Sequence, residues 1–548
     1  MIEVSQIRCN LKHGATEEGC LESGMRATLK LLGCTRADIE SIELRKKSID
    51  ARKKQDVHFM LTVRVRLRDG IDERRLLSRL HPQDARRVRI ADAQEPRFPE
   101  PVSPARKPSE RPVVVGAGCA GLFAALSLAE AGMAPLLIER GDDATRRASA
   151  VERFNATGEL DPASNIQFGL GGAGTFSDGK LNTGTKNPTH RLILQTFVDA
   201  GAPREILWDA KPHIGSDILP RVVTELVRRI ERLGGEVRFR ASLTSIERTP
   251  AGAISGIRIE HDGHEEHISA NRVILACGHS ARDVFALLRQ GGFFLRRKTF
   301  AMGVRIEHLQ SDIDRALYGP AAGHPALGAA PYSLVAHLPN GRSLFSFCMC
   351  PGGQVVAAAS EPGGVVTNGA SLHARDGRNA NAALLVNVNP EDLPGDDPLA
   401  GIALQRACEQ AAYAAGGGAY RAPAQLVGDF LSGRPSAGTG RIQPTYPRGV
   451  TWGAIDPILP PHIIETLRLG IPALARKLHG YDDPEAVLTA PETRSSAPVT
   501  VVRDRATCQA EGAVGLFPCG EGAGYAGGIM SAAADGIRCA QALIDSLI

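Results

Sequence analysis

Apolar positions along this chain change their spacing several times, and the changes divide it. Between Glu17 and Leu32 they recur at helical spacing, whereas His58–Leu67, HFMLTVRVRL, alternates as a strand with one buried face does. Strands are also expected at Glu3–Leu11 and Ile42–Ser48, and a further helix at Asp72–Leu80. Residues 1–90 therefore read as a ferredoxin-like α+β domain. Periodicity then disappears. From 91 to 110 the chain carries charge and Pro96, Pro99, Pro101, Pro104 and Pro108, the composition of a linker.

Past the linker the pattern is that of a parallel sheet with covering helices. Arg111–Arg140, RPVVVGAGCAGLFAALSLAEAGMAPLLIER, reads as a buried strand, a glycine turn, an alanine- and leucine-rich helix and a second strand ending on Glu139. Leu219–Leu233 is amphipathic and feeds a strand at Glu236–Arg240, then paired strands at Leu243–Arg248 and Ile254–Glu260. Arg272–Ala276 follows as a return to the central sheet, which makes the paired strands an inserted β-meander. From about 281 alternating stretches (Phe300–Glu307, Ser343–Cys350, Val355–Ala359, Ala383–Val388) mix with helices (Leu399–Ala414, Pro460–Leu478), as in an α+β substrate or cap domain. Val514–Cys519 and the helix Met530–Leu543 rejoin the parallel layer. The expected division is 1–90, linker 91–110, a Rossmann-like nucleotide domain from 111–280 and 501–548, and a cap from 281–500.

The glycine turn has a specific chemistry. Gly116 permits the tight bend, Gly118 lets backbone approach a pyrophosphate, and Gly121 lets the helix pack close to the strand. Glu139 stands where an acid can accept hydrogen bonds from a ribose, which favours FAD or NAD over NADP. A second glycine-dense stretch, QFGLGGAGTFSDGKLNTG from Gln167 to Gly184, is too poor in side chains for a packed element and suits backbone wrapped round a ligand. There Gly171, Gly172 and Gly174 permit close approach, and Ser177 and Lys180 supply polar contacts.

Composition changes this picture little. The 548 residues have ordinary globular content and a net charge of only +4, concentrated in residues 1–110. The basic run Lys46-Lys47 to Lys53-Lys54 lacks the aromatic residues of an RNA-stacking sheet, so a solvated hairpin rim is expected and nucleic acid is not an expected partner. No apolar run reaches membrane-span length and the N-terminus is not a signal peptide, so a cytoplasmic protein is expected. The 11 cysteines contain no CxxC, which disfavours a zinc site, an iron–sulfur cluster or a disulfide framework.

Several side chains are candidates for chemistry. His213, in Pro-His-Ile-Gly, suits a base or substrate contact, as do His373 and Arg375 for an anionic substrate, and Lys180 from the glycine-rich stretch. Each has a structural alternative, and for Arg305, Glu307 and Arg494 ion pairing is the commoner role. Cys348 and Cys350, two apart on an expected strand, should share a face, where a relaxed disulfide rarely closes.

Three stretches together resemble the signatures of two-domain FAD oxidoreductases: VVVGAGCAGLFAALSLAEAG with Glu139, VILACG at Val273–Gly278, and GLFPCGEGAGYAGGIMSAAADGI near the end. More narrowly, FGLGGAGTFSDGKL, KPHIGSD, FAMGVRIEH, SFCMCPGGQV, VTNGASLHARDGRNANAALLV and APETRSSAPVTVVRD resemble a bacterial and plastid family of FAD-dependent dehydrogenases, over nearly the whole chain. The resemblance implies FAD held at Gly116, Ala117, Gly118, Ala120, Gly121, Glu139, Arg140, Gly172, Gly174 and Lys180. It adds Leu243 at the adenine, Ala276 and Gly278 over the dinucleotide, Gly520 and Glu521 at the pyrophosphate and ribityl chain, and Gly528, Ile529 and Met530 under the flavin. Two positions depart from the pattern: Leu170 stands where an acid is expected, and Glu521 replaces the usual aspartate. The implied activity is a dehydrogenase or reductase moving hydride between flavin N5 and a small-molecule substrate. No second strand-GxGxxG-helix is visible, so either the substrate itself reduces the flavin or NAD(P)H binds only as a transient donor. A flavin monooxygenase and a flavin-dependent RNA-modifying or RNA-binding protein are the alternatives, and the oligomeric state is left open.

Overall fold

The computed structural model describes the whole chain except residues 92–95, 104, 106, 185, 186 and 548, so Pro104 of the expected linker lies outside the described residues. The architecture is mixed α/β. Residues 1–90 form an antiparallel sheet in the order Ile39–Asp50, His58–Leu67, Ile2–Cys9, Val88–Ile90, with Glu17–Leu32 packed on it. This is the ferredoxin-like order. Alternate residues of His58–Leu67 face the helix: Phe59, Leu61, Val63 and Val65 are buried while their neighbours are not. The basic rim is only partly solvated, because the Lys47 backbone exchanges hydrogen bonds with Trp208 and Ala210 (2.7 and 2.8 Å) and its ammonium lies over Phe59.

The nucleotide layer is a five-stranded parallel sheet in the order Leu516–Pro518, Val273–Leu275, Val113–Val115, Leu136–Ile138, Glu236–Arg238. The first four strands are buried on both faces, hence their unbroken apolar runs. The helix Cys119–Glu130 has apolar residues all round because it is covered all round, by the sheet, by Leu219–Arg232 and by Ile529–Asp545. The terminal helix comes close because Gly536 offers no Cβ; one there would lie 2.2 Å from the Ala120 carbonyl. Phe123 packs edge-on against Phe197 at 5.3 Å, each burial worth roughly 1.5–3 kcal/mol.

The β-meander has a strand the sequence reading omitted, His264–Ser269, closed onto Ile254–His261 by Asp262-Gly263, both at positive φ. Its charged composition hid it, although Asp-Gly between alternating segments is a hairpin signal. The cap is built on a sheet in the order Val335–His337, Ser343–Ala357, Asn379–Val388, Phe300–Leu309, Val487–Glu492, Ala422–Leu426, Val450–Trp452, with Thr367–Ala370 paired to the second strand. Met302, Val304 and Ile306 join the large core, and Ala301, Gly303, Arg305 and Glu307 take the other face. Ser343–Ala357 is one strand where two were expected, because Pro351-Gly352-Gly353 is absorbed as register shifts against Asn379–Val388. No helix among the described residues is long and apolar enough to cross a membrane.

Candidate functional site

The C-terminal ends of three parallel strands turn on glycines, and those turns converge. Gly116 follows Val115 at φ +98°, a conformation glycine alone adopts readily, and a Cβ there would lie 2.5 Å from the Ala276 carbonyl of the next turn. At Gly121 a Cβ would lie 1.8 Å from the Gly116 carbonyl, so the first turn of the helix Cys119–Glu130 has room only for glycine there. The turns Ala276–Gly278 and Gly520–Glu521 sit beside it, tied by the Ala276 N–H to the Val115 carbonyl and the Cys519 N–H to the Leu275 carbonyl (2.8 and 2.9 Å).

Glu139 is buried and staples this assembly. One carboxylate oxygen accepts from the Ala117 N–H at 2.8 Å, the other from the Gly141 and Gly169 N–H groups at 3.0 Å each. The glycine-rich stretch is thereby fastened to the first turn, and Gly171 donates to the Ala117 carbonyl as well. Its own shape comes from Arg147, whose fully buried guanidinium donates to the carbonyls of Asn165, Ile166, Gly169, Leu170 and Gly172 at 2.6–3.2 Å. Burial pulls this arginine down to about 9. Leu170 points into the apolar core instead of the turn.

These elements enclose a cavity of about 310 Å³. One end is lined by Gly116, Gly118, Glu139, Arg140, Leu243 and Ala276. The other is lined by Lys180, Cys348, Glu492, Glu521 and the start of the helix Ile529–Asp545. Of the candidate positions, Ala120, Gly172, Gly174, Gly278, Gly528 and Ile529 also line it; Ala117, Gly121, Gly520 and Met530 stand behind it. His213 and His373 do not line it. They stack on each other at 5.1 Å, with His213 Nε2 at the His373 carbonyl (2.9 Å) and His373 Nε2 3.2 Å from Glu205. Burial and then Arg375 push His213 down to about 4, so it stays neutral.

The second end is rich in groups of altered ionisation. Lys180 lies 2.8 Å from Asp178, which also accepts from Arg375 Nε at 2.9 Å. Burial opposes the charge of Asp178, yet the two cations bring it down to about 2, and burial likewise fails to discharge Lys180, which the cysteine thiols and Asp178 raise. Burial pushes Glu492 up to about 7 even though Arg305 Nε is 3.2 Å away, too misaligned to donate, and Glu492 Oε2 has no hydrogen-bond partner. Burial also pushes Glu521 up to about 7, against Lys298. His279, on the same wall, is pushed down to about 3 by burial and by Arg494. Arg494 itself is held in a buried pair with Glu409 (2.9 and 3.0 Å), and Glu307 accepts from Asn379 and Thr445, so both serve structure here.

Asp178, Glu492, His279 and Arg147 escaped the sequence reading. Asp178 and Glu492 stand inside quoted motifs and His279 directly after one, so a motif signal existed, while Arg147 gave none because a buried arginine on a polar helix looks like a surface residue.

The cavity's bare backbone suits a dinucleotide. At Gly278, Gly527 and Gly528 a Cβ would meet nothing within 4 Å, and at Gly118 nothing closer than 3.9 Å, so the backbone there faces the cavity. Family models agree with that geometry: residues 111–181 match an FAD binding domain, 299–495 the C-terminal domain-like region of FAD-dependent proteins, and 1–66 a domain of unknown function. A protein of Clostridium beijerinckii described as uncharacterized is 44% identical over 517 residues, covering 94% of each chain. The chain belongs to this family of FAD-dependent proteins. FAD is its cofactor. Among solved structures, glycerol-3-phosphate dehydrogenase from Bacillus halodurans complexed with FAD is 12% identical over 81% of this chain and 66% of its own (TM-score 0.36). A flavin-dependent brominase is 11% identical over 80% and 79% (TM-score 0.35).

Proposed function

We propose that this flavoprotein is an oxidoreductase, a dehydrogenase or reductase of a small organic substrate, with 111–280 and 501–548 holding the cofactor and 281–500 closing over the substrate. One observation carries the reading: a single cavity runs from bare glycine turns and Glu139 to a wall bearing Lys180, Cys348 and Glu492. Gly116, Gly118, Gly172, Gly174 and Gly278 would hold the pyrophosphate, Glu139 and Leu243 the adenosine end, and Glu521, Gly528 and Ile529 the other end. The helix Ile529–Asp545 directs its N-terminus, with about half a positive charge, into that end and favours negative charge there. When bound, FAD would supply the two-electron chemistry, exchanging a hydride with the substrate at N5.

The chain's own groups do the rest. Lys180 keeps its proton and would orient an electronegative substrate atom. Glu492, which lines the cavity and is pushed by burial up to about 7, can give or take a proton there. The cap excludes water. NAD(P)H is the candidate transient donor in the same space. His213 and His373, outside the cavity, are not proposed as catalytic.

Purified protein should be yellow, and anaerobic bleaching by NADH, NADPH or candidate metabolites should name the electron donor. Colourless protein that FAD cannot reconstitute would overturn the reading.

A further inference from the structure

Cys348 and Cys350 differ from the arrangement their spacing predicts. Between Phe347 and Cys350 the strand slips register, and Cys348 takes φ +42°, a left-handed bulge unusual for a side-chain-bearing residue. The bulge puts Cys348 on the cavity wall while Cys350 stays buried. Cys350 donates its thiol to the Cys348 carbonyl at 3.2 Å, and Lys180 Nζ lies 3.8 Å from its sulfur. Arg305 donates to the same Cys348 carbonyl at 3.2 Å. Half-buried Cys348 thus lines the cavity, with buried Cys350 behind it and Lys180 between Cys350 and Asp178.

We propose that Cys348 and Cys350 form a redox-active dithiol that exchanges with a small-molecule disulfide entering the cavity. The asymmetry assigns the roles. Cys348 lines the cavity and so meets the disulfide first, with Lys180 and Arg305 favouring its thiolate, while Cys350, buried behind it and raised by burial, resolves. Cys348 Sγ bonds one sulfur of R–S–S–R, breaking that bond and releasing RS⁻. Cys350 then loses its proton to solvent and bonds Cys348 Sγ, releasing the second RS⁻, and each RS⁻ takes up a proton from solvent. The pair is oxidised by two electrons and the substrate disulfide is reduced to two thiols; excess RSH reverses both steps. That the dithiol stands beside the cofactor rests on the cavity being the FAD site, while the exchange itself does not.

The test uses the full chain, with and without flavin, and 2-hydroxyethyl disulfide as the probe. After acid quenching and alkylation, the tryptic peptide from Ser343 to Arg375, which holds no other cysteine, is weighed. The expected wild-type result is a peptide lighter by two hydrogens and unalkylated, with Cys350→Ser trapping the probe as an adduct on Cys348. Iodoacetamide should alkylate Cys348 about tenfold more slowly in Lys180→Met, a change a structural thiol would not show. If Cys350→Ser does not fold, the wild-type peptide decides alone. Both thiols remaining alkylatable after the probe would overturn the proposal, whatever the flavin content, and absence of flavin with an intact exchange would overturn only the oxidoreductase reading.

Discussion

The two ends of the cavity are built on opposite principles. At the Glu139 end the ligand-facing surface is backbone, its shape set by glycine and by saturated hydrogen bonds: both Glu139 oxygens and the whole Arg147 guanidinium are consumed by main-chain groups. At the Lys180 end the surface is side chain, and charge is deliberately unbalanced: Glu492 has an unpartnered oxygen, Cys348 is strained, and two carboxyls are pushed to about 7. A saturated end recognises a constant ligand and gains from rigidity. An unsaturated end holds groups poised to move protons or electrons, at a cost in stability.

Breaking the saturated end should have the largest effect. Arg147→Ala removes a donor from five carbonyls between Asn165 and Gly172, of which those of Gly169, Leu170 and Gly172 keep another, and should cost about 3 kcal/mol, with loss of bound flavin, measured by denaturation and by absorbance. Native flavin content in this variant would refute its role as the loop's scaffold. Lys180→Met should leave flavin content intact and slow substrate-driven bleaching by about 100-fold, the size of a lost positioning and electrostatic contact. A lower flavin content with an unchanged bleaching rate would move Lys180 to the saturated side of the comparison.

A smaller effect concerns pH. Glu492 and Glu521 have folded values near 7, above the ordinary value of 4.5, so each favours the folded state in its protonated form. Their contribution is fully present below about pH 4.5 and is lost as pH rises through about 7. Melting temperature should fall over that window, and Glu492→Gln should flatten part of the fall; an unchanged slope would contradict the raised carboxyl. The smallest effect belongs to His373→Ala. The His373 ring meets half-exposed Glu205, the Ile214 carbonyl (3.1 Å) and the ring of His213, all away from the cavity, so flavin content and bleaching should stay at wild-type levels and stability should change by about 1 kcal/mol.

Local pattern alone located much of this. Val113–Val115, His58–Leu67 and Glu17–Leu32 begin and end where their periodicity says, because each buries a face whose spacing follows from the element's own geometry. Less visible were Val487–Glu492 and Ala422–Leu426, short strands buried on both faces and therefore lacking alternation. The same limit applies to the site. Gly116, Gly118, Gly121 and Glu139 were legible because a dinucleotide turn demands those residue types at fixed spacing.

The sequence by itself determined the parallel nucleotide layer, the ferredoxin-like unit and the FAD signature, because local periodicity and fixed motif spacing mark their elements even where strands as distant as Val273 and Leu516 pair. Only the tertiary structure decided which charged groups meet. Arg147 with the glycine-loop carbonyls, Asp178 between Lys180 and Arg375, and Glu492 beside Arg305 bring together positions up to 197 residues apart. It also separated His213 and His373 from the cavity and turned Cys348 onto its wall. Ionisation and reactivity depend on burial and on charges a few ångströms away, and neither is encoded in spacing along the chain.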